Sequence, residues 1–291
     1  MFRNSWLFRL IRPIAWIVFL LPVMVGFDLG ASKDTVPGSV IFWLGSLFFV
    51  LCFGFSVNAL GDVDVDIYHD GRSKDMNLCR QPLVTGEISM LQAKLLCLLF
   101  LVGSLLCALL VGIYFVLVII VLDVIGYVYS LAPLRMKKRP VRDVVCNALL
   151  GVFFFLAGIT IGKAYVNPLL VITVFLMASN FYIPTVMTDY EFDKKGGLRT
   201  SAVVYGGKRL IIGMYLLTAA INIFGVILIL SASFEVKIIA VIMIIYTSIF
   251  TLVTKNRLQG NQLMLHKNWI LIPFGCLTFV FFCLGLFKIV A

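Results

Sequence analysis

Nine stretches of this chain are apolar for long enough to cross a lipid bilayer: Pro13 to Phe27, Val40 to Leu60, Leu95 to Leu110, Ile113 to Ser130, Val144 to Ile161, Leu169 to Met187, Leu210 to Leu230, Ile238 to Leu252 and Trp269 to Phe287. A helix spans the ~30 Å hydrocarbon core with about 20 residues, and within that core every backbone amide must be satisfied inside its own segment. The expected fold is therefore all-α, a polytopic bundle of nine transmembrane helices. With 62% hydrophobic and 13% charged residues, a soluble globular domain is excluded. The third and fourth stretches are parted only around Val111-Gly112, which predicts a tight hairpin.

The first stretch runs into Asp28 rather than a small-residue cleavage site, so it reads as a retained helix and not a signal peptide. Ahead of it, Arg3, Arg9 and Arg12 alternate with Trp6, Leu7, Phe8 and Leu10, as in a short helix lying in the headgroup region as an anchor. Six cysteines (Cys52, Cys97, Cys107, Cys146, Cys276 and Cys283) fall inside the apolar stretches and no CxxC pair occurs, so neither a disulfide framework nor a zinc site is expected.

Nine spans put the N-terminus and the connectors after spans two, four, six and eight on one side. Of the 24 Lys and Arg, all but Lys33, Lys163, Lys237 and Lys288 fall there. The positive-inside rule makes that side cytoplasmic and places the C-terminus opposite. The net charge of +10 is thus explained by membrane topology and phosphate-bearing partners, with no nucleic acid implied.

Topology does not explain the acids. Asp62, Asp64, Asp66, Asp70, Asp75 and Glu87 follow span two, and Asp189, Glu191 and Asp193 follow span six, all on the cytoplasmic side. Asn58, Asp62 and Asp66 are spaced by four, so on a helix continuing out of span two they drift only about 40° per step and line one face. Asp189 and Asp193 repeat the spacing. Asp64 and Glu191 point about 200° away, towards water or a local Arg. Adjacent carboxylates repel unless neutralised, and a hard divalent cation does this: Mg²⁺ takes one or two carboxylates and completes its shell with water and substrate phosphate. Two facing strips, with Arg72, Lys74 and Arg80, Arg135, Lys137 and Lys138, and Lys194, Lys195 and Arg199 nearby, read as a Mg²⁺-diphosphate cradle.

On these residues the sequence resembles the UbiA superfamily of intramembrane prenyltransferases. Asn58, Asp62 and Asp66 match its Asn-x3-Asp-x3-Asp motif after helix two, and Asp189 and Asp193 its Asp-x3-Asp motif after helix six. "PLVTGEIS" (Pro82 to Ser89), "YSLAPLRMKKRP" (Tyr129 to Pro140) and "DYEFDKKGGLRTSAVVYG" (Asp189 to Gly206) are similar to its other segments, in order. Two positions depart: Ala59 stands where many members have Asp, and Arg80 is offset by Gln81 from the usual Arg-Pro.

The resemblance implies one domain over residues 1–291, a central cavity, and cap-like cytoplasmic loops over 61–92 and 189–208. It implies that Asp62, Asp66, Asp189 and Asp193 bind Mg²⁺, as two ions, with Asn58 assisting, and that Arg72, Arg135, Lys137, Lys195 and Arg199 contact diphosphate. The substrates implied are an isoprenyl diphosphate and a lipophilic acceptor, a carotenoid, an aromatic or quinone precursor or similar, with membrane lipids around them. The Asp-x-Glu-x-Asp form of the second motif looks more like carotenoid-elongating members. Tyr127, Tyr129 and Tyr182 are candidates to face an allylic cation, against ordinary aromatic packing. Asp123, inside span four, is either a base or acceptor-orienting group or a hydrogen-bonded structural residue. Asn147 and Asn180 are candidate cavity-lining groups.

Three rivals stay open. A CDP-alcohol phosphotransferase needs a second Gly-x3-Asp-x3-Asp, which "DGR" at Asp70 lacks. A cation-coupled transporter holds its ions near the midplane, whereas these acids lie at helix ends. A UbiA-type terpene cyclase shares the fold and forms product without an acceptor.

Overall fold

The computed structural model describes residues 5–67, 81–162, 166–259 and 268–290, and among them all regular structure is helical. In chain order the α-helices are α1 (Trp6–Ile11), α2 (Ile17–Gly30), α3 (Pro37–Asp66), α4 (Pro82–Thr85), α5 (Met90–Leu109), α6 (Ile113–Ser130), α7 (Arg142–Ile159), α8 (Pro168–Thr188), α9 (Tyr190–Lys195), α10 (Ser201–Ser231), α11 (Phe234–Gln259) and α12 (Asn268–Val290). Nine helical stretches among the described residues are long and apolar enough to cross a membrane, one for each predicted span.

Local sequence sets the boundaries. Pro37 and Pro168 open α3 and α8 at positions where a missing N–H costs nothing. Asn167 caps α8 through its side-chain oxygen, which accepts from the amides of Leu169 at 3.0 Å and Leu170 at 3.3 Å. Ser89 and Gln92 form a reciprocal capping box at the start of α5. Gly112 carries the tight α5–α6 hairpin.

Several helices outrun the apolar windows, and α3 and α10 do so beside the acidic strips. α3 runs to Asp66 rather than Leu60, so residues 61–66 are helix and not cap loop. α10 begins at Ser201, and Gly206 interrupts it at φ 72, ψ 163, a conformation essentially open only to glycine. Residues 201–205 therefore form a short turn of their own ahead of the long apolar run, which is why hydropathy alone places that span later.

The helices pack as two compact units. The first comprises Met1–Met136, Phe153–Ala164 and Phe274–Ala291, the second Lys137–Val152 and Tyr165–Pro273. In the first, the fully buried Trp43 of α3 donates its indole N–H to the Ala157 carbonyl of α7 at 2.8 Å and stacks on Phe27 of α2 at 4.9 Å. Lys288 of α12 meets Asp28 of α2 at 3.0 Å and donates to the Asp28 carbonyl at 2.7 Å. In the second unit, Asn180 of α8 donates to the Met214 carbonyl and the Thr218 hydroxyl of α10, and Thr218 shares a 2.7 Å hydrogen bond with Thr251 of α11. Lipid supplies no hydrophobic force between helices, so such polar contacts and close packing hold the bundle together.

Candidate active site

The first acidic strip lies on the last three turns of α3. Because the helix persists through Asp66, Asn58, Asp62 and Asp66 share one face as their spacing predicts. Exposure agrees with the register: the side chains of Asp62 and Asp66 are 19% and 13% exposed, and that of Asp64 is 57% exposed. Arg135, in the segment after α6, clamps this helix end. Its Nη1 donates to Asp64 Oδ2 at 2.9 Å, its Nη2 to Asp64 Oδ1 at 2.5 Å and to the Gly61 carbonyl, and it stands 3.8 Å from Asp62. The family resemblance implies a diphosphate contact for Arg135, but in this structure its guanidinium is directed at the motif helix, with the outward-pointing Asp64 as its main partner.

A close backbone approach fixes the same helix end. A methyl group added at Gly61 would lie 2.2 Å from the Ser130 carbonyl oxygen, so only glycine lets α3 and α6 approach this closely. Ser130 also donates to Asn58 Oδ1 at 3.4 Å.

The second strip closes α8. Asp189 caps that helix, and α9 comes at once after it, with the Asp193 amide bonded to the Asp189 carbonyl at 2.9 Å. The four-residue register is therefore helical here too. Asp189 is exposed and Asp193 buried, while Lys195 and Arg199 are exposed and Lys137 is 8% exposed. Lys194 lies over the Tyr190 ring, 5.7 Å from its centroid. Arg72, Lys74 and Arg80 lie outside the described residues.

The segment behind the second strip is anchored by a residue that sequence reasoning missed. Asp143, fully buried near the start of α7, accepts from the Ser201 amide at 2.7 Å and the Ser201 hydroxyl at 2.6 Å, and Ser201 Oγ in turn accepts from the Val141 amide at 2.8 Å. It caps α10 from another helix, and so holds Arg199 and Thr200 in place. Only a pairing across 58 residues reveals it, and no local spacing encodes that. Asp143→Ala orphans two buried donors and is expected to cost about 2–3 kcal/mol, read as a fall in melting temperature of the purified protein; an unchanged melt would refute the anchor.

Several expected cavity groups sit elsewhere. Asn180 is fully buried in the α8–α10–α11 seam, a helix-to-helix tie rather than a cavity wall. Tyr182 packs against the core of the second unit around Ile183, Val186 and Met214. Tyr127 is 49% exposed on the apolar stripe of α6 with Leu117, Ile120 and Val124, the position of an interfacial aromatic. Tyr129 and Asn147 are half-buried. Asp123 is 5% exposed and its Oδ2 is 3.0 Å from the hydroxyl of Ser104 on α5, whose carbonyl accepts from Ser46 of α3 at 2.8 Å. It stands seven residues before Ser130, roughly 10 Å along α6 from the level of Asn58. These contacts make a polar tie among three helices and favour the structural alternative for Asp123. Asp123→Asn is expected to keep turnover within about three-fold, whereas loss of a general base costs about 10²–10⁴-fold.

Among the described residues, no three His, Cys, Asp or Glu side chains form a ready-made metal cage. The all-oxygen donors of each strip suit a hard cation that shares its shell with substrate oxygens. Their place at helix ends is not that of a midplane transporter site.

A sequence profile of the UbiA prenyltransferase family matches residues 19–272. The chain belongs to the UbiA prenyltransferase family. As a UbiA member it is a prenyltransferase and an integral membrane protein. Its fold matches that of a UbiA homologue from Archaeoglobus fulgidus bound to DMAPP and Mg²⁺, with a TM-score of 0.93 and 43% identity over 99% of this chain and 100% of that one. The same homologue bound to GPP and Mg²⁺ matches with a TM-score of 0.92 and 42% identity over the same shares. Homogentisate phytyltransferase of Synechocystis is 28% identical over 218 residues, 69% of this chain and 66% of that protein.

Proposed function

We propose that this UbiA member transfers a prenyl group from an allylic isoprenyl diphosphate to a lipophilic acceptor within the membrane and releases diphosphate. The observation that carries the reading is the Archaeoglobus relative, similar along its whole length and bound to a prenyl diphosphate with Mg²⁺. Asn58, Asp62, Asp66, Asp189 and Asp193 would hold the metal, as two ions. Bound there, Mg²⁺ offsets the negative charge that develops on the leaving diphosphate.

The chain's own residues do the rest. Lys195, Arg199, Lys137, Arg72 and Lys74 grip phosphate oxygens, arginine through its fork and lysine as a point charge. Arg135 holds the α3 strip in place through Asp64 and Gly61. The allylic C–O bond breaks with its electron pair going to the diphosphate. A carbon or oxygen nucleophile of the acceptor then bonds to the allylic carbon and gives up its proton. The basic connectors support a cytoplasmic N-terminus and cytoplasmic strips, with the C-terminus opposite.

The test is diphosphate release by the purified protein from DMAPP, GPP and longer allylic diphosphates, with Mg²⁺ or EDTA, and with or without a membrane lipid extract. Release that needs both Mg²⁺ and extract supports transfer. Release without extract moves the reading to a cyclase, and no release from any substrate overturns it.

A further inference from the structure

The first helix does more than rest on a membrane surface. Leu10 and Ile11 of α1 are buried in a cluster with Cys52, Phe53, Val57 and Ala59 of α3 and with Ile88, Ala93 and Cys97, while Trp6 and Leu7 stay exposed. The helix is thus docked on the element that carries the first acidic strip. It stops at Arg12, whose φ of 45° and ψ of 58° lie in the left-handed region that a non-glycine residue enters rarely. A non-glycine residue held in such a backbone conformation needs surroundings that fix it there.

Arg12 has them. With the Gln81 amide oriented so that its oxygen faces the guanidinium, that oxygen accepts from Arg12 Nε at 2.6 Å and from Nη2. Gln81 is 3% exposed, so this bond is sheltered from water. Arg12 Nη2 also stands 3.6 Å from Asp66 Oδ2. One turn earlier, Arg9 pairs with Glu87, which also accepts from the Thr85 hydroxyl at 2.8 Å. The hydrogen bonds from Arg9 and then Thr85 hold the Glu87 carboxyl below the ordinary glutamate range. Two arginines of α1 and its cap therefore grip the end of α3, the start of α4 and the approach to α5.

We propose that Arg12 is a positioning residue for Asp66 and that α1 is the brace that makes it so; this rests on the reading of Asp66 as a metal ligand. Gln81 takes the directional hydrogen bonds of the guanidinium. What Arg12 offers Asp66 at 3.6 Å is charge at a distance beyond hydrogen-bond range, which orients the carboxylate without itself taking up a lone pair. Groups that orient metal ligands typically change metal affinity by about 10–100-fold when removed.

The experiment titrates Mn²⁺ into the purified full-length protein, reading free Mn²⁺ by electron paramagnetic resonance, and separately measures the metal dependence of diphosphate release. Arg12→Met is expected to weaken Mn²⁺ binding about ten-fold, with Arg12→Lys intermediate and the prenyl-diphosphate KM at saturating metal unchanged within about two-fold. Asp66→Asn is expected to weaken Mn²⁺ binding at least as much, and adding Arg12→Met to it to do nothing more. Should Arg12→Met fail to fold, Gln81→Met keeps the charge but removes its tether, and is expected to shift binding in the same direction. Normal Mn²⁺ binding in the folded Arg12 or Gln81 variant, beside weakened binding in Asp66→Asn, overturns the brace. Normal binding in Asp66→Asn overturns the metal-ligand reading itself.

Discussion

Replacing Asp62 or Asp189 with alanine is expected to lower Mg²⁺-dependent diphosphate release by about 10³-fold or more, equivalent to ~4 kcal/mol of lost transition-state stabilisation. Each carboxylate sits at a helix end, Asp189 exposed and Asp62 partly so. Helical content and melting temperature should therefore stay close to those of the parent. Asp64→Ala is the control on the same helix. Asp64 points away from the strip, so this change reaches the strip through a loosened Arg135, and a far smaller loss is expected. Turnover within a few-fold of the parent in both Asp62→Ala and Asp189→Ala would remove the two-strip metal site.

Gly61→Ala is the second large effect, and it reaches the chemistry by another route. The added methyl would meet the Ser130 carbonyl, which is backbone and cannot rotate aside, so α3 and α6 must separate. Overpacking of this kind costs about 1–3 kcal/mol of stability. Activity should suffer more than stability, because Gly61 precedes Asp62 directly and its carbonyl is held by Arg135. A displacement near 1 Å at a positioning element lowers rate by about 10²-fold. Thermal melts together with kcat at saturating substrate decide the point: a mild fall in melting temperature with a large fall in kcat is expected, and wild-type kcat would show that the close approach is dispensable.

Near neighbours in the chain determine what is legible without coordinates. The four-residue spacing of Asn58, Asp62 and Asp66 is a helical fact, and it holds because α3 continues past its apolar window. The outward direction of Asp64 comes from the same geometry. The rest is tertiary. Arg135 is legible as a cation near phosphate but not as the clamp on Asp64, 71 positions away. Asp143 stands just outside an apolar window and looks like a topological flank, while its partner Ser201 lies at the start of α10. Asn180 is visible as a polar residue in an apolar helix, but whether such a group faces a void or a neighbouring helix depends on Thr218 and Thr251, whose own sequence contexts are plain apolar helices. The N-terminal arginines look like headgroup anchors because amphipathic composition is the same for a helix on lipid and for one on protein.

The ion pair between Asp28 and Lys288 bears on how the molecule is made. Translation delivers the acid 260 residues before this base, so the tie between α2 and α12 can form only after every helix between them has been made. The first unit, although most of its helices are synthesised early, therefore gains its α12 face late. Until then, chaperones that patrol the membrane meet a face of α2 that Lys288 and Phe282 will later cover.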